Sequence, residues 1–536
     1  MKDSPTYQLS ESTVVEPLMD QWVAWTHVLS PVASCLHLLK YQLTTLASYL
    51  KNPDIHVTAC RNPKLLGGPF VDIPVQRKQE VESLSNRIQT LRADELQLAK
   101  DLLDFQNYLA REAKGQSIEP FYGKLPPGLQ GRVELAYDYF NHPMVRCLEN
   151  LFYESPYYKP HLQSLRILKQ TRDNGRSFYM STPRVPQSEQ IDWAMPFARA
   201  EVDELFRTDL APQPLSRITE LLGLRSDQES TLMPLLSPAT AGTMPAWDGA
   251  GVRIRYLGHA CVLIEWKGVS ILTDPFVPTR SVAGGIDRYT YRDLPAKIDY
   301  VLVTHGHHDH SVLESLLRLR HRIDTLVVPR SSGVFYGDPS LKLMAHKLGF
   351  RHVVEMDALD TLPLPGGELI GVPFLGEHAD LPHAKIGYLI RRGVDQMLFA
   401  ADSNCLDPSM YSHLRTILGP IKTVFLGMEC VGAPLTWVYG PLLPISIEHV
   451  HNQSRRSNGC HAEAAWNLLE AVGAERVYIY ALGREPWLEH VLALAPTDTD
   501  PQMHESTKLI ERARQRNFVD AQRPFGKFEL YLGTDS

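Results

Sequence analysis

HGHHDH, residues 305–310, directly follows the apolar run DYVLVT, residues 299–304. The apolar run is typical of a buried strand. Even without His308, the next six positions offer four potential metal ligands in the pattern H-x-H-x-D-H: His305, His307, Asp309 and His310. Side chains this close together cannot all reach one ion from a regular strand or helix, so we expect a loop whose side chains diverge. Divergence predicts two metals side by side, the first bound by His305 and His307 and the second by Asp309 and His310.

The length and composition indicate a two-domain globular protein. A chain of 536 residues is too long for one core of ordinary size. Its hydrophobic fraction of 44% and charged fraction of 21% exclude a disordered or fibrous chain. The net charge of −7 and the lack of a run of Lys and Arg disfavour nucleic acid as a partner.

The cysteines and the N-terminus predict a cytoplasmic protein. Seven scattered cysteines with no C-x-x-C pair indicate neither a disulfide scaffold nor a zinc ribbon. The first residues carry an acid and lack the basic and apolar regions of a signal peptide. The most apolar stretch, residues 22–39, is interrupted by Pro31 and by polar residues. We therefore expect a buried helical segment there and no membrane span.

The N-terminal part is predicted to be α-rich. Val81, Leu84, Ile88 and Leu91 recur at helical spacing, which predicts an amphipathic helix that starts near Pro74. Further helices are expected around 15–50 and 196–224, with few strand signals between residues 12 and 225. Residues 230–251 are rich in Pro, Gly, Ser and Thr and have little periodicity. We place the domain boundary in this connector, which gives an N-terminal domain of 1–245 and a C-terminal domain of 246–536.

The C-terminal part alternates short β-type runs with helical patterns. Strands are predicted at 252–256, 260–266, 269–272, 300–304, 325–328, 387–391, 397–400, 423–426 and 476–481. Helices are predicted at 311–320 and 462–472. Strands interleaved with helices over nearly 290 residues indicate a layered α/β architecture.

The metal-ligand pattern after a strand resembles the signature of the metallo-β-lactamase fold superfamily. A histidine-rich surface turn is the alternative, but a random loop seldom follows an apolar strand in this order. Residues 256–265 and 271–276 also look like the superfamily's opening strands. The resemblance implies an αββα sandwich over 246–536. It also implies that Asp274 supports the metal loop and that His259 has a structural role near the site.

The superfamily supplies further ligands later in the chain, and these imply Glu377 and Asp402 here. Asp402 ends an apolar run where the bridging carboxylate belongs, although an Asp that caps the next turn is an alternative. Where the hydrolases carry a third imidazole, this chain has Glu377, with His378 beside it as the competing ligand. With Glu377, the first metal has a harder, more anionic ligand set that resembles the environment of oxygen-activating iron.

The sequence leaves undecided which residue is the last ligand of the second metal. The hydrolases carry a His on a late strand, but the corresponding run, residues 477–483, has none. His461, at the start of the predicted helix 462–472, is the preferred substitute. His449 and His451 compete with it, and each is individually explained as an ordinary loop histidine.

The segments 376–378 (GEH) and 401–404 (ADSN), together with a long helical N-terminal domain, resemble a narrower group. These are the diiron amino-acid β-hydroxylases of non-ribosomal peptide assembly lines, which act in antibiotic pathways such as that of chloramphenicol. The resemblance implies two non-heme irons, O2 as co-substrate and an external electron donor. Glu377 and Asp402 are then the catalytic carboxylates.

The same resemblance implies the partners. The substrate would be an amino acid held as a thioester on the carrier domain of a synthetase, and a redox partner would supply the electrons. The N-terminal domain would serve carrier docking or dimerisation, so we expect a homodimer. The alternative is that this domain merely covers the sheet of the metal domain.

A dizinc or dimanganese hydrolase acting on an amide, lactone or phosphodiester is the competing function. Glu377 and the absence of a His from residues 477–483 argue against this function. The sequence does not identify the amino acid that is hydroxylated. Glu429, Cys430, Trp437 and Tyr439 follow an apolar run and are candidates to border the pocket, although burial alone equally explains the aromatic residues.

Overall fold

The N-terminal region combines helices with small antiparallel sheets. The computed structural model describes residues 5–239, 245–376 and 383–533. The helices are α1 (Thr26–Leu29), α2 (Pro31–His37), α3 (Leu43–Lys51), α4 (Pro53–Cys60), α5 (Lys78–Leu91), α6 (Ala93–Glu112), α7 (Glu149–Tyr153), α8 (Ala200–Arg207), α9 (Leu215–Leu222) and α10 (Glu229–Leu232). The strands are β1 (Thr6–Leu9), β2 (Thr13–Met19), β3 (Trp22–Val23), β4 (Val133–Tyr137), β5 (Pro143–Cys147), β6 (Gln163–Lys169), β7 (Ile191–Ala194), β8 (Gln213–Pro214) and β9 (Leu236–Pro238). They form sheets in the orders β3-β2-β6-β7, β8-β1-β9 and β4-β5.

These N-terminal strands correct part of the sequence prediction. The helix expected around 15–50 begins only at Thr26, because β2 pairs with β6, about 150 residues further along the chain. Such a pairing is decided by tertiary contacts and leaves no local signal. The amphipathic helix is present as α5, with Val81, Leu84 and Ile88 buried, whereas Leu91 at its end is 57% exposed.

The C-terminal region contains two larger sheets. Its strands are β10 (Val252–Gly258), β11 (Cys261–Trp266), β12 (Val269–Thr273), β13 (Ile298–Leu302), β14 (Ile323–Pro329), β15 (Val353–Met356), β16 (Thr361–Leu364), β17 (Gly367–Val372), β18 (Gly387–Arg392), β19 (Asp395–Phe399), β20 (Thr423–Gly427), β21 (Arg476–Tyr480), β22 (Asp520–Gln522) and β23 (Phe528–Leu532). Its helices are α11 (Leu313–Leu319), α12 (Leu341–Lys347), α13 (Pro408–Leu418), α14 (Thr436–Tyr439), α15 (His449–Ser454), α16 (Ala462–Val472), α17 (Glu489–Leu492) and α18 (Pro501–Gln515). The sheets have the orders β15-β14-β13-β12-β11-β10-β23 and β16-β17-β18-β19-β20-β21-β22.

The two sheets face each other across a shared apolar core. Ile254 and Ile264 of the first sheet belong to the same buried cluster as Phe399 and Phe425 of the second. On its outer face the second sheet packs against α13, α16 and α18. The outer face of the first sheet is covered by α11, α12 and the N-terminal region. This is the predicted αββα sandwich preceded by a further region, and the fold class is confirmed.

The strand directions bring two chain segments to one edge of the sandwich. β12, β13 and β14 run parallel in the first sheet, and β19, β20 and β21 run parallel in the second. The metal loop follows β13, and Asp402 follows β19. Ligand sites of such sheets form at the carboxyl ends of parallel strands. Among the helices described here, none is long and apolar enough to cross a membrane.

A buried ion network joins the N-terminal region to the sandwich. Glu16 of β2 lies 2.9 Å from Nε of Arg184 and 2.7 Å from Nη2 of Arg176. Nη2 of Arg176 also lies 2.6 Å from Oε2 of Glu314, which belongs to α11. Burial alone would raise the pKa of Glu16, but Arg184 and Arg176 hold it below its ordinary value. The network therefore depends on a charged Glu16.

We predict that Glu16→Gln destabilises the protein by about 3–5 kcal/mol, because it leaves buried guanidinium groups without their counter-charge. Denaturant unfolding of the full chain measures this. Glu220→Gln removes the same charge from the exposed pair with Arg217 and should change stability by less than about 1 kcal/mol. Wild-type stability should fall as the pH drops below about 4.3, where an unfolded Glu takes up a proton, and Glu16→Gln should lose less. Equal stability of the two variants would contradict the network's role.

Candidate metal centre

Three buried side chains converge at the edge of the sandwich, two from the metal loop after β13 and one from the segment after β19. Donor atoms of His305, His310 and Asp402 all lie within 4.8 Å of one another. Oδ2 of Asp402 is 2.9 Å from Nε2 of His310 and 3.8 Å from Nε2 of His305. Asp402 thus lies between the two imidazoles, as a bridging carboxylate would.

His305 and His307 face each other. Nε2 of His305 is 3.1 Å from Nδ1 of His307, and the other nitrogen of each ring has its own partner. Nε2 of His307 is 2.6 Å from the hydroxyl of Tyr439, and Nδ1 of His305 is 3.0 Å from Oγ1 of Thr304. These outer hydrogen bonds direct the facing nitrogens toward one point, which suits two ligands of a single ion.

A second group of donors lies on the other side of His310. His259, Asp309 and His310 also bring donor atoms within 4.8 Å of one another. Nε2 of His259 is 3.0 Å from Oδ2 of Asp309, and that oxygen is 3.7 Å from Nε2 of His310. The two overlapping groups give the geometry of two neighbouring metal positions.

Asp274 orients ligands of both positions. Its Oδ2 lies 2.8 Å from Nδ1 of His310 and accepts a 2.7 Å hydrogen bond from Oγ1 of Thr304. The backbone N–H of Thr304 donates to Oδ1 of the same carboxylate at 2.7 Å. Since Thr304 also contacts His305, one buried carboxylate fixes both rings. The expected supporting position of Asp274 is observed.

The charges in this centre are strongly coupled. Burial alone would raise the pKa of Asp309, but the neighbouring imidazoles, that of His310 first, hold it well below its ordinary value. Burial alone would lower the pKa of His310, but Asp402, Asp309 and Asp274 hold it well above its ordinary value. Such mutual compensation is typical of a functional cluster.

The backbone is strained around the same centre. His259, Asp274, Ala401 and Ala481 all have positive φ angles, between 33° and 51°. They follow β10, β12, β19 and β21, so each lies where a strand ends beside the ligands. Non-glycine residues in this conformation are uncommon and concentrate at functional sites.

The residues fit a pair of iron ions. Imidazole and carboxylate suit this borderline metal. Nε2 of His310 is buried and makes no hydrogen bond within the described part of the chain, although Oδ2 of Asp402 is only 2.9 Å away. Since Nδ1 of His310 contacts Asp274, its Nε2 and the facing oxygen of Asp402 could hold a metal ion in place of a proton.

The structure does not bring His461 to this centre. Its ring is exposed, and Nδ1 accepts a hydrogen bond from the amide of Ala464 at the start of α16. Neither donor group of the described residues includes His461, and its expected role as the last ligand stays a prediction. His449 and His451 are also exposed, on α15. Glu377 and His378 lie outside the described residues.

Two contacts at the centre are not predicted by the sequence. The hydrogen bond from Tyr439 to His307 joins residues 132 positions apart, and no local pattern predicts it. His259 was expected to have a structural role near the site, and its contact with Asp309 is the interaction observed there. His308 is not in either donor group of the described residues, and its ring lies 5.3–5.7 Å from those of Trp25, Tyr179 and Trp437.

A cavity of about 410 Å³ lies beside the metal loop. His307, His308 and Asp309 form part of its wall. Its apolar lining comes from both regions of the chain: Leu65, Leu66, Phe70, Val431, Trp437, Val438, Leu492 and Leu494. Glu429 and Trp437, two of the expected pocket residues, line it, and Tyr439 contacts His307. The cavity has the size and character of a small-molecule site.

Comparison with known proteins gives the family. Residues 8–239 match the family described as the diiron non-heme beta-hydroxylase N-terminal domain, and residues 253–326 match a beta-lactamase superfamily domain. A 4-amino-L-phenylalanyl-[CmlP-peptidyl-carrier-protein] 3-hydroxylase of Streptomyces venezuelae is 34% identical over 523 residues, 95% of this chain and 97% of its own length. The chain belongs to the diiron β-hydroxylases.

A solved structure agrees with this membership. The crystal structure of CmlA, a diiron beta-hydroxylase from Streptomyces venezuelae, superposes with a TM-score of 0.91 at 31% identity, over 99% of this chain and 100% of that one. A UPF0173 protein of Pyrococcus abyssi is 32% identical over 139 residues, only 26% of this chain and 55% of its own length. The predicted diiron hydroxylase is thus confirmed over the dizinc hydrolase.

For this diiron β-hydroxylase we predict that Asp274→Asn weakens iron binding roughly 10–100-fold, as is common when a group that orients ligands is changed. Anaerobic titration with Fe(II), followed by metal analysis, measures this. Asp299→Asn is the matched control, since Asp299 lies on β13 and accepts hydrogen bonds from Ser270. Unaltered iron affinity in Asp274→Asn would show that the histidines are held by other means.

Proposed function

We propose that this diiron β-hydroxylase hydroxylates the β-carbon of an amino acid held as a thioester on the carrier domain of a non-ribosomal peptide synthetase. The observation that carries the proposal is the match over nearly the full length of both chains to a hydroxylase whose substrate is a carrier-bound amino acid. A local match to the metal loop alone would not support a substrate, since fold does not fix function.

As part of the same proposal, His305, His307 and Glu377 would hold the first iron. Asp309 and His310 would hold the second, and Asp402 would be shared by both. The position of Asp402 between His305 and His310 supports the bridge. The hydrogen bond between His259 and Asp309 holds that carboxylate beside His310.

The chain's own residues hold the reacting partners in place. The irons, when bound and reduced by an external electron donor, supply the activation of O2. Asp274 and Tyr439 keep the imidazoles in fixed orientations. The apolar wall of the cavity excludes water from the β-carbon, which limits side reactions of a strong oxidant.

The partners follow from a tethered substrate. The cavity wall includes residues 64–68 and Phe70 of the N-terminal region, so this region shapes the substrate site in addition to covering the first sheet. This supports a role for it in carrier docking. The electron donor, a homodimer and a cytoplasmic location stay proposals, the last supported by seven cysteines that are all free.

The proposed reaction predicts a mass gain of one oxygen on carrier-bound amino acid and none on free amino acid. Iron-loaded protein, a reductant and O2 are incubated with both forms, and the products are compared by mass spectrometry. The same preparation should contain two irons and show oxo-diiron charge-transfer bands. Two zincs and no iron in protein produced with iron available would refute the metal assignment, and equal turnover of free amino acid would refute the tethered substrate.

A pair of neighbouring variants tests the carboxylate ligand. We expect Glu377→Ala to abolish oxygen-dependent product formation, because the first iron would lose the carboxylate ligand that it does not share with the second. His378→Ala is the control, and it should retain product formation and iron content. The reverse pattern would assign the ligand to His378, and undiminished hydroxylation by Glu377→Ala would refute the role of Glu377.

A further inference from the structure

A series of aromatic rings in contact runs from the metal loop into the N-terminal region. Nε2 of His307 is 2.6 Å from the hydroxyl of Tyr439, whose ring centroid lies 5.7 Å from that of His27. The next ring, that of Trp25, is 4.7 Å from His27 and 5.7 Å from His308 of the metal loop. Two separate sets of contacts therefore join Trp25 to the metal loop.

The series continues from Trp25 toward the protein surface. The ring of His37, at the end of α2, lies 5.5 Å from that of Trp25 and 5.1 Å from that of Tyr41. Trp25 and His37 are buried, whereas Tyr41 is half-buried and so is partly accessible to solvent. Tyr41 belongs to a π-helical turn, Leu38–Gln42, a rare geometry that is often found at functional sites.

Packing alone does not explain the two histidines on either side of Trp25. Both nitrogens of His37 and Nδ1 of His27 are buried and make no hydrogen bond within the described part of the molecule. A buried polar atom without a partner costs free energy that an apolar ring would not. Burial lowers the pKa of His27 to about 4 and that of His37 to about 3, so both rings are neutral near neutral pH. Neutral imidazoles have a lone pair that can stabilise a transient positive charge on Trp25.

We propose that Trp25 and Tyr41 form an electron-transfer route that protects the protein when the metal centre is oxidised and has no substrate to attack. Tryptophan and tyrosine are the side chains that lose one electron most readily, and electrons move between them quickly only over short distances. The rings of Trp25 and Tyr41 are each in contact with His37, which keeps this distance short.

The electrons and protons of this route balance. Trp25 gives one electron to the oxidised metal centre and becomes a cation radical. Tyr41 then gives one electron to Trp25 and releases its phenolic proton to solvent. An external one-electron donor, such as ascorbate or a thiol, reduces the Tyr41 radical, which takes a proton back from solvent. The net result is one electron delivered to the metal centre, with both side chains restored.

The position of Trp25 suits this role. Trp437 also lies near the metal loop, with its ring 5.3 Å from that of His308, but it lines the cavity. Trp25 is not among the described residues of that lining. A positive charge that moves to Trp25 and on to Tyr41 therefore leaves the metal loop without entering the cavity.

Treatment with hydrogen peroxide in the absence of substrate tests the route. The full chain, loaded with iron, is compared as wild type, Trp25→Phe, Tyr41→Phe and the control Trp466→Phe. Trp466 is also buried, but it packs on the outer face of the second sheet against Phe518. Freeze-quench electron paramagnetic resonance records the organic radicals, in protein made with ring-deuterated tryptophan or tyrosine. Peptide mass spectrometry then locates the oxidised residues.

We expect the wild type and Trp466→Phe to form a tyrosine radical, whose spectrum narrows with deuterated tyrosine, and to be oxidised at Trp25 and Tyr41. In Tyr41→Phe the charge should stop at Trp25, which gives a tryptophan radical that narrows with deuterated tryptophan. Trp25→Phe should lose both radicals and be oxidised at the histidines of the metal loop instead.

Unchanged radicals and unchanged sites of oxidation in Trp25→Phe would overturn the proposal. Tyr41→Phe decides the question even if Trp25→Phe binds less iron, because the absence of a tryptophan radical in Tyr41→Phe would also overturn it. Neither a carrier domain nor an amino acid is used, so the outcome does not depend on the proposed substrate.

Discussion

The buried carboxylate of Asp274 is the group on which the metal centre depends. It ends β12 in a strained backbone conformation and accepts hydrogen bonds from the backbone and side chain of Thr304, at the end of the neighbouring β13. A buried charge is tolerated only when such partners are complete. Its third contact, with His310, shows that the interaction that joins the two strand ends also orients a ligand.

The second sheet supplies the carboxylate that lies between two imidazoles of the metal loop. Asp402 follows β19 and reaches His305 and His310, which follow β13 of the other sheet. The distance between these residues is set by the core between the sheets, in which Ile254 and Ile264 of the first sheet belong to one buried cluster with Phe399 and Phe425 of the second. A close-packed core of this kind has little freedom to shift. The spacing of the metal ligands is therefore a property of the whole sandwich.

The sequence predicted those features that depend on neighbours along the chain. The strand before HGHHDH, the loop itself and helix α16 are local patterns, and the structure shows each of them. β2 was missed because its partner β6 is distant. His461 shows the limit of local patterns: a histidine at a helix start fits a ligand motif, and its Nδ1 equally accepts a hydrogen bond from the amide of Ala464. The pairing of His307 with Tyr439 depends on the folded chain alone.

The N-terminal region is what sets this protein apart from a bare metallo-β-lactamase-like domain. Trp25 and Tyr179 of that region contact the ring of His308 in the metal loop, with ring centroids 5.7 Å and 5.5 Å away. Gly67 lies against Trp437, whose indole N–H donates to its carbonyl at 2.8 Å. The contact between Gly67 and Trp437 lies in the cavity wall, and His308 forms another part of that wall. Hydrolysis needs water at the metals, whereas hydroxylation of a carbon needs water kept away from it. The N-terminal region, through residues 64–68 and Phe70, thus helps to enclose the site in the way that oxygen chemistry requires.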